Sequence, residues 1–298
     1  MNIVEERETD IERRLRPGRA GMVSSLLVAL AILLWGADDA LSAAITIAGN
    51  GPELHMIERL TSAFEKKHVG AVVEIRWDPS FQPTHMVKSG EADLALVGET
   101  DPDLIATPIA WDGIAVVVDF TNPLREITSL QLAAMFSGVL TRWSDVGGID
   151  TRIELINRPS KQPIRGTFET VLEIIGKSPH AAPVSRSDQR AISSVAGNGS
   201  AVTYASLGVA LDAVTYGVGV ALLSVDHVEP VKQTVRDGRY RLRRPVLLLR
   251  KHDTNPTAAS FVDFASSKEA KDIIEEMFVS YTGPETDPHA VHASTREK

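Results

Sequence analysis

Arg158, Lys161 and Arg165 are spaced three and four residues apart in the stretch Asn157-Arg158-Pro159-Ser160-Lys161-Gln162-Pro163-Ile164-Arg165-Gly166-Thr167-Phe168, where a proline-marked turn runs into a helix start. A helix start exposes unpaired backbone N–H groups and a partial positive charge, so cations beside it could hold a small anion. Two further turns enter expected helices in the same way, Gly49-Asn50-Gly51-Pro52 and Pro79-Ser80-Phe81-Gln82-Pro83. Several such starts converging on an arginine would make an anion pocket. The same turns are also ordinary loop chemistry in any α/β protein, and spacing alone leaves both readings open.

Other chemistries find less support. The eight histidines are scattered, and no two stand at the i, i+4 spacing of zinc peptidases, so no metal or cofactor is expected. The chain has no cysteine, which excludes disulfides, thiolate ligands and a cysteine nucleophile. Neither a G-x-S-x-G elbow nor a G-x-x-x-x-G-K-[ST] loop occurs, leaving elbow-type hydrolysis and P-loop nucleotide binding without a motif. An acid–base carboxylate pair stays open, because spacing does not identify partners. No enzyme activity is expected.

The elements that must position these turns follow from hydrophobic periodicity. Strands are expected at 45–48, 72–77, 93–97, 114–118, 153–156, 201–204, 218–223 and 245–249. Helices are expected at 53–67, where Leu54, Ile57, Leu60 and Phe64 recur at helical spacing, and at 84–90, 129–136, 163–175 and 256–278. Segment 226–244 reads as polar and charge-rich. The alternation favours an α/β fold with a mostly parallel sheet, and its restart near residue 118 suggests two lobes.

With 43% hydrophobic and 23% charged residues, the 298-residue chain is ordinary for a globular protein. Its formal net charge of −8 at pH 7 argues against nucleic acid as a partner, which would need a basic stripe. Arg13, Arg14, Arg16 and Arg19 precede an apolar run from Met22 to about Ala37, followed by the small residues Ala40-Leu41-Ser42-Ala43-Ala44. Residues 1–44 therefore read as an export signal cleaved near Ala43 or Ala44, or as an uncleaved anchor, which implies a periplasmic protein. Residues 283–298 read as a flexible tail.

The ordered stretches ITIAGNGPELHMIERLTSAFEKKH, GEADLALVG, PIAWDGIAVVV, LQLAAMFSGVLTRWSDVGG, RGTFE, VAGNGSAVTYASLGVAL and LSVDHVEPVKQTVRDGRYRLRRPVLLL span roughly residues 45–280. Together they resemble the phosphate-binding proteins of bacterial ABC phosphate importers, within the type II periplasmic binding protein fold. The resemblance implies two α/β lobes, each a mixed sheet flanked by helices, joined by crossover hinge strands. Lobe one would comprise about 45–115 plus 246–282, and lobe two 116–245. It implies capture of phosphate or a similar small oxyanion by a monomer that serves an ABC permease in the inner membrane. A diverged binding module of the cell envelope, with a sensory or protein-binding role or a different ligand, is the alternative.

Residue by residue, the resemblance puts Asn50, Gly51 and Pro52 where the family has a hydroxyl-rich turn. Ser80 matches the serine of a second turn and Arg158 the anion-binding arginine, while Gln162-Pro163-Ile164 stands where the family has S-G-T. Arg165 matches an arginine that follows that turn, in a binding or a structural role. Glu99 follows the strand DLALV, where it could accept the proton that phosphate keeps near neutral pH and sulfate lacks. A hydrogen bond to a charged group contributes roughly 1.5–3 kcal/mol, so two absent hydroxyls would weaken phosphate binding about 100-fold unless Asn50, Gln162 and Lys161 replace them.

Overall fold

Alternating side chains along strand Ala44–Gly49 (β1) send Ile45 and Ile47 into one apolar layer and Ala48 into another. The same alternation holds in Leu94–Val97 (β3) and in Arg243–Arg250 (β9), whose Val246 and Leu248 join the first layer while Leu247 and Leu249 join the second. This sheet is therefore covered on both faces. Helices Leu54–Lys67 (α1), Pro256–Ala265 (α8) and Lys268–Ile274 (α9) cover one side, and Pro83–Ser89 (α2) the other. These details come from a computed structural model that describes residues 44–179 and 182–283. The expected export segment and tail, apart from Ala44 and Gly283, lie outside the described residues. Among the described residues, no helix is long and apolar enough to cross a membrane.

The main sheet runs in the order β2-β1-β3-β9-β4-β7-β6, with Val72–Trp77 as β2, Ile105–Asp119 as β4, Glu154–Leu155 as β6 and Ala201–Ser206 as β7. β1 pairs parallel with β3, but β9 is antiparallel to both β3 and β4, and β4 is antiparallel to β7 and to Val220–Val225 (β8). The sheet is thus mixed, as the resemblance implies, where the alternation alone favoured a mostly parallel one. The cause is β4, a strand of 15 residues where apolar patterning marked only 114–118. Pro108, Asp112 and Gly113 interrupt that pattern, although β4 pairs with β9 from Ile105 to Gly113 around an irregularity at Pro108/Ala110.

A further apolar cluster begins on β4 at Ile114 and takes in Leu132, Met135 and Phe136 of helix Ser129–Phe136 (α3), Ile164 and Phe168 of helix Pro163–Val171 (α4), and Tyr204 of β7. Ile109 and Ala110, just before it on the same strand, belong to the first cluster. Two cores thus meet along β4 at Trp111, Asp112 and Gly113. α3 starts with a reciprocal cap, Thr128 accepting from Gln131 N at 3.1 Å while the Gln131 side chain accepts from Thr128 N at 3.0 Å.

Two helices not expected from the sequence, Asp188–Val195 (α5) and Leu207–Thr215 (α6), pack on this second core. The expected helix 256–278 is two helices, broken at Ser266-Ser267 where Ser267 caps α9. Segment 226–244 contains a short helix, Lys232–Arg236 (α7). α7 reaches back to the chain after α9, with Arg236 bonded through Nη2 to both Glu275 carboxylate oxygens at 2.8 Å.

Gly208, in the first turn of α6, lies against the chain at Met277, and a Cβ there would overlap the Met277 carbonyl oxygen. Alanine would favour the helix by at most about 1 kcal/mol, whereas overpacking against backbone costs typically 1–3 kcal/mol. The clash should win. Gly208→Ala is expected to lower the urea midpoint at an unchanged m-value, and an equal or higher midpoint would show that this contact does not constrain α6.

Candidate functional site

The first turn is fixed by a tryptophan. The Trp77 indole lies so close over Gly49 that a Cβ would overlap its ring, and Trp77 Nε1 donates to Gly51 O at 3.0 Å. Asn50 Nδ2 donates to Phe81 O at 3.1 Å, tying this turn to the turn at 79–83. Glu53 then folds back over Gly51, where a Cβ would overlap its Oε2, and its carboxylate is ion-paired with Arg244. Glu53 is only 2% exposed.

The arginine-bearing loop is anchored from the second core. Tyr204, stacked on Phe168 with centroids 3.9 Å apart, donates its hydroxyl to Asn157 Oδ1 at 2.7 Å. Arg158 N donates to that same Oδ1 at 2.8 Å. Arg165 donates from Nη1 to Arg158 O at 2.8 Å and pairs through Nε with Glu169 at 2.7 Å, so it braces the loop. The Arg158 guanidinium is itself buried. Its Nη1 meets Asp188 at 2.6 Å, its Nε donates to Gln162 Oε1 at 3.2 Å, and Gln162 Nε2 donates to Arg186 O at 2.8 Å. Asp188 opens α5, where a carboxylate suits the helix dipole.

Where the cores meet, Asp112 of β4 and Arg244 of β9 are register partners. Arg244 donates to Asp112 Oδ2 from Nε at 3.1 Å and from Nη2 at 2.9 Å, and also to Glu53. Ser206 Oγ donates to Asp112 Oδ1 at 2.7 Å, and Ser206 N donates to Asp188 Oδ1 at 3.2 Å. One buried polar chain thus runs from Glu53 to Arg158. Burial pushes the Asp112 carboxyl up to about 6, with Arg244 pulling it back and the charge on Glu53 adding to the rise. Burial works against the Arg244 charge, but Glu53 and Asp112 hold its pKa above the ordinary arginine value.

A cavity of about 430 Å³ lies between the first turn and this loop, lined among others by Asn50, Gly51, Trp77, Arg158, Gln162 and Arg244. Of the sequence candidates, it brings together Asn50, Gly51, Arg158 and Gln162. Ser80 and Glu99 do not line it. They line a neighbouring outer chamber of about 650 Å³, which shares Asn50, Pro79, Gln162 and Pro163 with the first. Ser80 is exposed, and its hydroxyl is already bonded to Asp78 Oδ1 at 2.5 Å. Glu99 is exposed rather than a buried acceptor, and Arg165 lines neither chamber. Glu53, Asp112, Asp188, Arg186 and Arg244 were not candidates. Arg244 stood inside a run of cations, and the burial of the carboxylates leaves no mark in sequence. Among the described residues, no group of His, Asp and Glu is placed to hold a metal ion.

The chain and its fold match a known family. The family model for the PBP superfamily domain matches residues 36–269, and the chain belongs to that superfamily. Within it, the chain is similar to phosphate-binding proteins named PstS. It is 22% identical over 243 residues to the phosphate-binding protein PstS of Bacillus subtilis, covering 78% of each chain. It is 25% identical over 181 residues to PstS of Borreliella burgdorferi, a match that spans 57% of this chain and 63% of that protein. Among solved structures, a substrate-binding protein of a putative phosphate ABC transporter from Clostridium perfringens, with bound phosphate, superposes with a TM-score of 0.72. That match is 24% identical and covers 80% of this chain and 99% of the other.

The Asp112 carboxyl carries a consequence for stability. Its folded pKa lies above the unfolded value, so its contribution is present below pH 3.8 and is lost as the pH rises toward about 6. Asp112→Asn keeps an acceptor for Arg244, removes that titration and leaves Arg244 with Glu53 as a one-to-one pair. The melting temperature of the variant relative to the wild type should rise between about pH 4 and pH 6 and then level off. A constant difference across that range would mean that Asp112 does not titrate there.

Proposed function

We propose that this chain is an exported solute-binding protein, without catalytic chemistry, that captures a small oxyanion, phosphate foremost, and presents it to an ABC-type permease in the inner membrane. The observation that carries the reading is Arg158. Its guanidinium is 3% exposed and lines the cavity, and its Nη2 meets no hydrogen-bond partner among the described residues. An unspent donor on a buried cation calls for an acceptor, and an oxyanion supplies one with charge to match. Asn50, Gly51 and the start of α4 at Pro163 and Ile164 surround the same space.

The separation of the apolar clusters on either side of Asp112 supports lobes of about 45–115 plus 246–282 and 116–245. An anion bridging them would shift an open–closed equilibrium that a permease reads. The basic and apolar residues before Ala44 support export. The names of the relatives, all phosphate-binding proteins, support phosphate as the ligand.

A thermal-shift series with phosphate, sulfate, molybdate and small organic anions tests this reading. Phosphate at 100 times its Kd should stabilise the protein by about 2.7 kcal/mol. Arg158→Lys keeps a charge beside Asp188 but not the forked donor pair, and should lose most of that shift. If no oxyanion raises the melting temperature, the oxyanion reading falls and a diverged envelope module takes its place.

A further inference from the structure

Arg158 sits on the loop anchored from the second core, whereas Arg244 sits on β9, and both line the same cavity. Arg244 is 1% exposed, with Nε and Nη2 spent on Asp112 and Glu53. Its Nη1 meets no hydrogen-bond partner among the described residues. That nitrogen lies 3.2 Å from where a Cβ on Gly98 would stand, and the Pro163 side chain packs at the same spot, 3.6 Å from that position. Nη1 therefore sits between the exit of β3 and the first turn of α4. A nearly fully buried guanidinium with one nitrogen left unpaired at a cavity wall is the same arrangement that marks Arg158.

Resting on the oxyanion reading above, we propose that Arg244 is a second anion-binding residue of this cleft, offering Nη1 to the same oxyanion that Arg158 meets through Nη2. The two carboxylates on Arg244 do not oppose this. Neither Glu53 nor Asp112 lines the cavity, so they hold the guanidinium from behind. The charged side chains that do line it are Arg158, Arg186 and Arg244 against Asp188 and Glu58. A tetrahedral oxyanion, with acceptor oxygens on opposite sides, can meet both guanidiniums at once. The two arginines would supply donors in place of the hydroxyls absent at Asn50-Gly51-Pro52. The ligand would then tie the loop of Arg158 to a strand that passes between the two cores.

Calorimetric titration of the whole chain with inorganic phosphate, using two variants, tests the assignment. Arg244→Lys keeps one cation beside Glu53 and Asp112 but places no nitrogen at Nη1. Gly98→Ala removes no charge and puts a methyl group 3.2 Å from Nη1, which crowds that nitrogen. Both should weaken phosphate binding roughly 10- to 100-fold, and Gly98→Ala should lower the unliganded melting temperature less than Arg244→Lys does. Should Arg244→Lys fail to fold, Gly98→Ala decides alone. Unchanged affinity in Gly98→Ala overturns the proposal, including the case where only Arg244→Lys weakens binding, which would make Arg244 structural. If the wild type itself gives no phosphate heat, phosphate falls as the ligand and this assignment falls with it, while the oxyanion reading is decided by the other anions of the thermal-shift series.

Discussion

Asp112 and Arg244 face each other across β4 and β9 at the point where both strands leave one apolar core for the other. Taking two ions out of water costs several kcal/mol each, and their attraction offsets this only if the remaining donors and acceptors are also satisfied. Here Ser206 and Glu53 supply the additional bonds. The ionic pair sits between the cores while the backbone of β4 runs continuously through both. A polar seam thus runs between the two apolar cores. The seam also hands its bonds on to the cleft, through Glu53 to the first turn and through Ser206 and Asp188 to Arg158.

Much of the fold was legible because apolar periodicity survives wherever an element faces one core. Leu54, Ile57, Leu60 and Phe64 announce α1, and Leu94-Ala95-Leu96 announces a strand buried on both faces. The pattern failed where burial is polar or where two cores share one strand. The first half of β4 carries Pro108, Asp112 and Gly113, and its role as a crossover lies in pairing with residues more than a hundred positions away. α5 and α6 were missed for different reasons. α5 begins Asp188-Gln189-Arg190, which reads as polar loop, and α6 follows β7 directly, its first turn broken by Gly208, so no helical period stands out after Tyr204.

Legibility of the site was more uneven. Arg158 could be placed by its spacing from the helix start and by resemblance, and the structure puts it on the cavity beside Gln162, Asn50 and Gly51. Ser80 and Glu99 could be placed only in register. A register match fixes which loop a residue occupies, not which of two adjoining chambers its side chain enters. Asp78, two residues before Ser80, engages its hydroxyl, a local turn bond that competes with any ligand. Arg244 lay in Arg241-Leu242-Arg243-Arg244, a run that reads as solvated charge. Strand alternation instead sends Arg243 over the Trp111 ring, 4.2 Å away, and buries Arg244 between the cores.

The makeup of the cleft bears on what it can distinguish. Hydroxyl donors can turn their hydrogens to suit a ligand and can also accept, whereas guanidinium groups only donate and carry fixed charge. A site whose donors are mostly arginines gains affinity from the total charge and spacing of the ligand oxygens. It tells phosphate from sulfate only if some acceptor meets the phosphate proton. The buried carboxylates are already committed, Asp188 to Arg158 and Ser206, and Asp112 and Glu53 to Arg244. Glu99 lies in the outer chamber. On the proposed oxyanion reading, selection in this cleft would rest more on charge and shape than on proton recognition.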